Sequence, residues 1–169
     1  MKTIVLPGFS PSNRDWAYEI KEKISSKEIF VHEWRHWEAD LKSLALMTEL
    51  ENIKKEIGDS KVNIIAKSVG TRVCVNLLLD QEINIDKIIL CGIPLRGFGK
   101  KTKDLFIGVL KTIPNNRIVC FQNENDPWGK YILVDKFMKG INTKIKVYKM
   151  NRSDHHYPYY KDFEKFLNK

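Results

Sequence analysis

The chain has 169 residues, of which 43% are hydrophobic and 30% charged, and these values predict one globular domain over residues 1–169. No apolar run is long enough to cross a bilayer, and the first residues lack the apolar stretch of a secretory signal, so we expect a cytoplasmic protein with no membrane partner. The net charge of +8 comes from basic residues scattered along the chain without a recognised nucleic-acid-binding module, so we expect no nucleic-acid partner.

Short β-branched runs alternate with amphipathic stretches along the chain, which is the pattern of a parallel sheet covered by helices on both faces. The predicted fold is therefore an α/β, three-layer α/β/α sandwich with a six-stranded parallel sheet. In chain order, the predicted strands cover residues 3–6, 29–32, 62–66, 87–91, 117–121 and 144–149.

Apolar residues at helical spacing predict six helices between and after these strands. We expect Asn13 to cap the first helix and Pro158 to start the last. In chain order, the buried faces are marked by Trp16, Ala17, Ile20 and Ile24; by Leu44, Met47, Leu50, Ile53 and Ile57; by Val73, Cys74, Leu77 and Leu78; by the segments 103–110 and 131–138; and by Phe163, Phe166 and Leu167.

The three cysteines, Cys74, Cys91 and Cys120, each lie in an apolar stretch, and their spacing matches no metal or redox motif. We expect buried free thiols that pack as small hydrophobic side chains. His32 and His36 are four residues apart but lack a third ligand, so we predict no metal site.

One serine lies between a predicted strand and a predicted helix, in the segment Ala66-Lys67-Ser68-Val69-Gly70. A serine at such a turn projects its hydroxyl above the sheet, and small residues two positions away on either side allow the backbones to approach closely. Ser68 is therefore a candidate nucleophile, and the backbone N–H of Val69 is a candidate oxyanion donor. The competing interpretation is that Ser68 is an ordinary helix N-cap.

A nucleophilic serine needs a histidine base and an orienting acid. The carboxyl ends of parallel strands meet at one edge of a sheet, and the loops after the last two strands bring Asp126 and the pair His155-His156 to that edge. We predict Asp126 as the acid, with Glu124 in reserve, and His155 as the base in preference to His156.

With this order of nucleophile, acid and histidine, the chain resembles the α/β-hydrolase superfamily in its compact, lidless form, over nearly its whole length. The resemblance implies the strand order 2-1-3-4-5-6 and places the second oxyanion donor on Phe9, after Pro7-Gly8. Pro7 stands where the family has a histidine. The elbow departs from G-x-S-x-G by Ala66 in place of the first glycine.

Four further residues are candidates for contact with the substrate. Ser10 could bond a substrate or cap the next helix, and Lys67 could be a cation at the mouth of the site or a solvated side chain. Trp34 belongs to an aromatic, basic cluster that could line the pocket or pack on a neighbouring loop. His156 could reach the edge of the substrate or face solvent.

The sequence therefore predicts a serine hydrolase that cleaves an ester or thioester of a small substrate without a cofactor, using Ser68, His155 and Asp126. The segment 94–102, where larger members of the family insert a lid, is short and predicts an open, shallow pocket. The alternative is a non-catalytic binding protein that keeps the hydrolase fold. A flavodoxin-like nucleotide binder is disfavoured because no glycine-rich phosphate loop follows any strand.

Overall fold

A computed structural model describes residues 1–25, 28–38 and 43–169, and within them six strands form one sheet. The strands are β1 (Lys2–Leu6), β2 (Glu28–Val31), β3 (Val62–Lys67), β4 (Ile85–Cys91), β5 (Ile118–Asn123) and β6 (Lys146–Met150). Every neighbouring pair is parallel, and the order is β2-β1-β3-β4-β5-β6. Both the parallel sheet and the predicted strand order are confirmed.

Six α-helices in the described residues cover the two faces of the sheet. They are α1 (Asn13–Lys23), α2 (Leu46–Ile57), α3 (Val69–Leu77), α4 (Lys100–Leu110), α5 (Tyr131–Ile141) and α6 (Tyr160–Leu167), with short 3-10 turns at Arg35–Trp37 and Leu95–Gly97. Buried side chains of α1 and α6 share one core, and those of α2 to α5 share the other. The three-layer α/β/α architecture is therefore also confirmed.

Alternation along the central strands divides the side chains between the two cores. Ile64 packs in the core on the α2–α5 face, whereas Ile65 packs in the core on the α1–α6 face. Because both faces are covered, every residue of β3 and β5 is buried. Four of these buried residues are polar. Asn63 lies near the start of β3, whereas Lys67, Gln122 and Asn123 lie at the carboxyl ends of their strands.

Several helix predictions were wrong in detail. Asn13 is the first residue of α1 rather than its cap, because its carboxamide bonds Ser10 and Lys67 instead. Met47, predicted on the buried face of the second helix, is 69% exposed. Glu49 is buried on that helix instead, and it contacts His32.

The ends of several elements, among them α6 and β5, also differ from the prediction. The helix α6 begins at Tyr160, two residues after Pro158. The strand β5 continues two residues beyond the predicted end, through Gln122 and Asn123, because its ladder with β6 extends to the pair Asn123–Met150.

Candidate active site

The carboxyl ends of three strands carry the predicted nucleophile, acid and base. Ser68 follows β3 directly, Asp126 lies in the turn after β5, and His155 lies in the loop after β6. The sheet therefore brings these three residues to one edge, as the sequence predicted.

The backbone at Ser68 turns sharply between β3 and α3. Its φ of 55° and ψ of −121° make it the sole non-glycine residue with positive φ in the described part of the chain. Such strain is tolerated where the surroundings fix it, and it clusters at functional sites. Ser68 holds the N-cap position of α3, but its hydroxyl makes no cap hydrogen bond, so the side chain is not committed to the helix.

Gly70 allows α3 to lie close against the end of β1. A Cβ atom at this position would lie 2.1 Å from the carbonyl oxygen of Leu6. The sequence predicted a small residue here because of close packing, and the structure locates that packing at β1 rather than at β3.

Asp126 and His155 form a buried pair. The carboxylate oxygen Oδ2 of Asp126 lies 2.6 Å from Nδ1 of His155, and Asp126 is completely buried. Tyr157 donates its hydroxyl to the same oxygen at 2.5 Å, and the backbone N–H of Trp128 donates to Oδ1 at 2.8 Å. Since a carboxylate only accepts, these contacts put a proton on Nδ1 of His155, and Nε2 is the ring nitrogen that faces away from Asp126.

His155 lines the cleft that also contains Ser68. Nε2 is buried and has no hydrogen-bond partner among the described residues, so the expected Ser68–His155 hydrogen bond is not formed. Catalytic hydrogen bonds are often long without substrate and shorten in the complex, which accounts for the difference.

The reserve residues do not occupy these places. Glu124 forms an ion pair with Lys149 at 2.6 Å. The backbone of His156 is bonded on both sides, to Asp154 through its N–H and to Asn123 through its carbonyl. Burial lowers the pKa of His156, with a further contribution from the Lys67 cation. His156 is not a lining residue of the cleft, so the structure does not support a contact with substrate there.

Sequence reasoning missed two buried amides at the end of β5 that hold the loops of the site. Asn123 donates to the backbone carbonyls of Asp154 and His156, both at 2.8 Å, and so fixes the histidine loop. Gln122 accepts the N–H of Ile93 at 2.9 Å and donates to the carbonyl of Gly129 at 2.5 Å. The signal in the sequence was the polar pair Gln122-Asn123, which directly follows the apolar run at the start of β5.

The two predicted oxyanion donors both border the cleft. Val69 is the first residue of α3, where backbone N–H groups have no partner within the helix. Phe9 follows β1 in a loop with trans peptide bonds throughout. Neither N–H donates to another group in the described part of the chain, so both remain available to a ligand.

The loop 7–9 is held from behind by three side chains that follow β2. Trp34 donates its indole N–H to the carbonyls of Pro7 and Gly8, at 3.3 and 3.0 Å. The carbonyl of Phe9 accepts from Nε2 of His36 and from Nε1 of Trp37, both at 2.7 Å. Because C=O and N–H point in opposite directions across a trans peptide, the bond from Trp34 to Gly8 turns the N–H of Phe9 away from Trp34.

Of the two roles predicted for Trp34, this arrangement excludes the pocket wall and supports packing on a neighbouring loop. Trp34 is fully buried and is not a lining residue of the cleft. The indole N–H needed an acceptor, and the loop carbonyls supply it. His36 stacks on the ring of Phe9 with centroids 4.2 Å apart, so the aromatic cluster supports the loop rather than the substrate.

Lys67 is also placed differently from the prediction. It is only 4% exposed, and its ammonium donates to Oδ1 of Asn13 at 2.6 Å and lies 5.1 Å above the ring of Trp16. Burial lowers the pKa of Lys67 to about 8. Because β3 directs its side chain beneath α1, Lys67 is neither solvated nor at the mouth of the cleft. Through Asn13, which donates to the carbonyl of Ser10, Lys67 braces the far end of the loop.

The cleft itself has a volume of about 390 Å³. Its walls are mainly apolar, and its polar members include Ser68, His155, Ser10 and Arg72. Ser10 is exposed, and its hydroxyl lies 2.9 Å from that of Ser12, so it belongs to the rim. The complete lining, in chain order, is Phe9, Ser10, Asn13, Ser68, Val69, Arg72, Pro94, Gly97, Phe98, Thr102, Trp128 and His155.

The described residues contain no group of three or more His, Cys, Asp or Glu side chains placed to bind a metal ion. His32 instead contacts Glu49 at 2.8 Å. All three cysteines are buried and free. Over the same described ranges, no helix is long and apolar enough to cross a membrane.

Residues 30–167 match a family model described as an alpha/beta hydrolase domain. No curated protein sequence is significantly similar to the chain.

Solved structures share the fold at low sequence identity. A YdeN-like hydrolase of Pectobacterium atrosepticum has 14% identity and a TM-score of 0.69, with 99% of this chain and 90% of that chain covered. The ydeN gene product of B. subtilis has 13% identity and a TM-score of 0.65, with 99% of both chains covered. A lidless a/b serine hydrolase of Xanthomonas campestris has 14% identity and a TM-score of 0.69, covering 99% of this chain and 78% of that one.

Proposed function

The chain belongs to the α/β-hydrolase family, and we propose that it is a serine hydrolase that cleaves an ester or thioester of a small substrate through an acyl-enzyme. The observation that carries this proposal is the buried Asp126–His155 pair, in which His155 lines the same cleft as Ser68 and its Nε2 has no hydrogen-bond partner among the described residues. Serine, histidine and acid in this chain order and at one sheet edge are the parts that acyl transfer requires.

In the first step, the hydroxyl oxygen of Ser68 attacks the carbonyl carbon of the substrate, and its proton passes to Nε2 of His155. Asp126 accepts the hydrogen bond from Nδ1 and stabilises the imidazolium that forms. The second hydrogen bond, from Tyr157 to the same oxygen of Asp126, holds the carboxylate in the orientation that serves His155.

The negative charge that develops on the carbonyl oxygen is stabilised by the N–H groups of Phe9 and Val69. Preorganised backbone donors are effective here because they need no reorientation as charge appears. The hydrogen bonds from Trp34, His36 and Trp37 to the loop carbonyls supply that preorganisation on the Phe9 side.

The tetrahedral intermediate collapses, and the alcohol or thiol leaves with the proton from His155. Water then enters, gives a proton to His155 and attacks the acyl group on Ser68. The second intermediate releases the acid and returns the proton to Ser68, so atoms and charge balance over the cycle.

The shape of the cleft supports a small substrate. Between β4 and α4 the chain forms only the short 3-10 turn Leu95–Gly97, and Phe98 and Trp128 wall the cleft without covering it. A cleft of about 390 Å³ falls in the lower part of the usual range for small-molecule sites.

The test is hydrolysis of short-chain p-nitrophenyl esters and of the matching acyl thioesters. We expect the wild-type protein to hydrolyse at least one series, and Ser68→Ala to fall to the uncatalysed rate. Ser60→Ala is the matched control, because Ser60 is exposed just before β3, at the opposite edge of the sheet. Activity retained in Ser68→Ala would reject the mechanism, and no hydrolysis by folded wild-type protein would favour the non-catalytic binding role.

A further inference from the structure

One cation lines the cleft and has no counterion among the described residues. Arg72 lies on α3 four residues after Ser68, about 6 Å further along the helix axis. Its side chain is half-buried, and its Nε is buried without a hydrogen-bond partner in the part of the chain that the structure describes. An arginine N–H withdrawn from water without an acceptor costs free energy that an anionic ligand would recover.

The charges around Arg72 leave this position open to an anion. Within the described part of the chain no carboxylate lines the cleft, and no acidic side chain forms an ion pair with Arg72. Asp126, behind His155, already accepts three hydrogen bonds. By contrast, Arg14 forms an ion pair with Glu33, and Arg152 forms one with Asp154.

We propose that Arg72 binds a carboxylate on the substrate, so that the preferred substrates are esters or thioesters with a carboxylate a few methylene groups from the scissile carbonyl. This inference rests on the proposed function. Guanidinium groups bind carboxylates in bidentate geometry, and the apolar walls, including Val69 and Phe98, suit the intervening methylene groups. Arg72 is the sole lysine or arginine among the described residues that line the cleft, which matches one negative charge rather than two.

The test compares a charged and a neutral ester of matched length, p-nitrophenyl glutarate half-ester and p-nitrophenyl pentanoate. For Arg72→Gln we expect kcat/KM for the half-ester to fall about 10- to 100-fold, since a hydrogen bond to a charged group contributes about that factor. The value for the pentanoate ester should change by less than about threefold. Arg72→Lys, which keeps the charge but loses the planar fork, should lie between wild type and Arg72→Gln.

Arg117→Gln provides the matched control for net charge. Arg117 is exposed just before β5, at the far edge of the sheet from the cleft. Arg117→Gln removes the same charge as Arg72→Gln. Equal losses of kcat/KM for the half-ester in both variants would therefore show long-range attraction of the anion and would overturn the proposal. A second ester, 4-carboxyphenyl butyrate, carries the carboxylate on the leaving group. An Arg72-dependent preference for this ester, without one for the glutarate half-ester, would overturn the placement of the carboxylate on the acyl side.

The outcomes separate this inference from the proposed function. Neutral esters cleaved in a Ser68-dependent reaction, with equal effects of Arg72→Gln on charged and neutral substrates, would reject the carboxylate site alone. If wild type cleaves neither esters nor thioesters, the proposed function fails, and calorimetric titration with glutarate then tests Arg72 directly. Glutarate binding that is lost in Arg72→Gln would support the site, and absence of binding to wild type would reject it.

Discussion

Trp37→Phe tests whether the aromatic cluster serves the oxyanion loop. The substitution keeps an aromatic ring but removes one of the two hydrogen bonds to the carbonyl of Phe9, each 2.7 Å long. The net contribution of one hydrogen bond to stability is about 1 kcal/mol, so the free energy of unfolding should fall by about that amount. His36 still binds the carbonyl, so the loop is loosened rather than released.

The effect on catalysis should appear in kcat. Removing an oxyanion donor outright costs about 10²–10³-fold, and because the N–H of Phe9 is retained here, we expect a smaller loss of about tenfold. KM should stay the same, since the charge that Phe9 stabilises develops only in the transition state. The assay is steady-state hydrolysis of a neutral p-nitrophenyl ester, beside chemical denaturation.

Tyr18→Phe is the control for Trp37→Phe. It removes a hydrogen bond to Glu33 on the neighbouring surface without touching the loop. An unchanged kcat in Trp37→Phe, or a rise in KM alone, would refute the assigned positioning role.

The remaining predictions concern buried groups around the site. Because burial lowers the pKa of Lys67 from 10.5 to about 8, the cost of its buried charge is full below pH 8 and disappears as pH rises to 10.5. Between pH 8 and 10.5, the free energy of unfolding of wild type should therefore rise by about 3 kcal/mol relative to that of Lys67→Met, as measured by denaturation at several pH values. A difference between the two proteins that does not change with pH would contradict this. Gly92→Ala should lower kcat and stability, because a Cβ there would lie 2.6 Å from Tyr157 and 2.9 Å from Cε1 of His155. Gly140→Ala, in open space on α5, should instead stabilise by about 0.5–1 kcal/mol; equal effects of the two changes on activity would be inconsistent with crowding at His155. None of the three cysteines should react with Ellman's reagent at pH 8 in native protein, because all are buried and burial raises the pKa of Cys74 to about 12; a fast-reacting native thiol would count against the packing described.

The sheet and its catalytic edge could be predicted because they depend on local pattern. Apolar runs specify strands, and parallel strands deliver the residues after their ends to one place. That rule alone is enough to bring Ser68, Asp126 and His155 together at one edge. The fully buried β3 and β5 are the elements in which this pattern is strongest.

The support around the edge depends on long-range pairing, which no local pattern encodes. The indole of Trp34 bonds a loop 26 residues earlier in the chain, and an aromatic cluster after a strand is equally typical of a pocket wall. Lys67 was expected in solvent or at the mouth of the site because lysine is seldom buried, and only the packing of α1 over β3 determines otherwise.

One helix face was predicted wrongly for a related reason. The apolar spacing from Leu44 put Met47 on the buried face, but α2 begins at Leu46, and Leu44 packs on the core from outside the helix. Glu49 is buried because its carboxylate accepts from the backbone of Arg35 and contacts His32. Burial of a charge through such partners cannot be read from periodicity.

The most direct test of the central claim is covalent labelling of Ser68. A fluorophosphonate probe reacts with a serine only when an adjacent base activates it, and peptide mass spectrometry identifies the modified residue. The account predicts a single adduct on Ser68, absent in Ser68→Ala and strongly slowed in His155→Ala and Asp126→Asn. Folded wild-type protein that remains unlabelled, or an adduct on another serine, would contradict it.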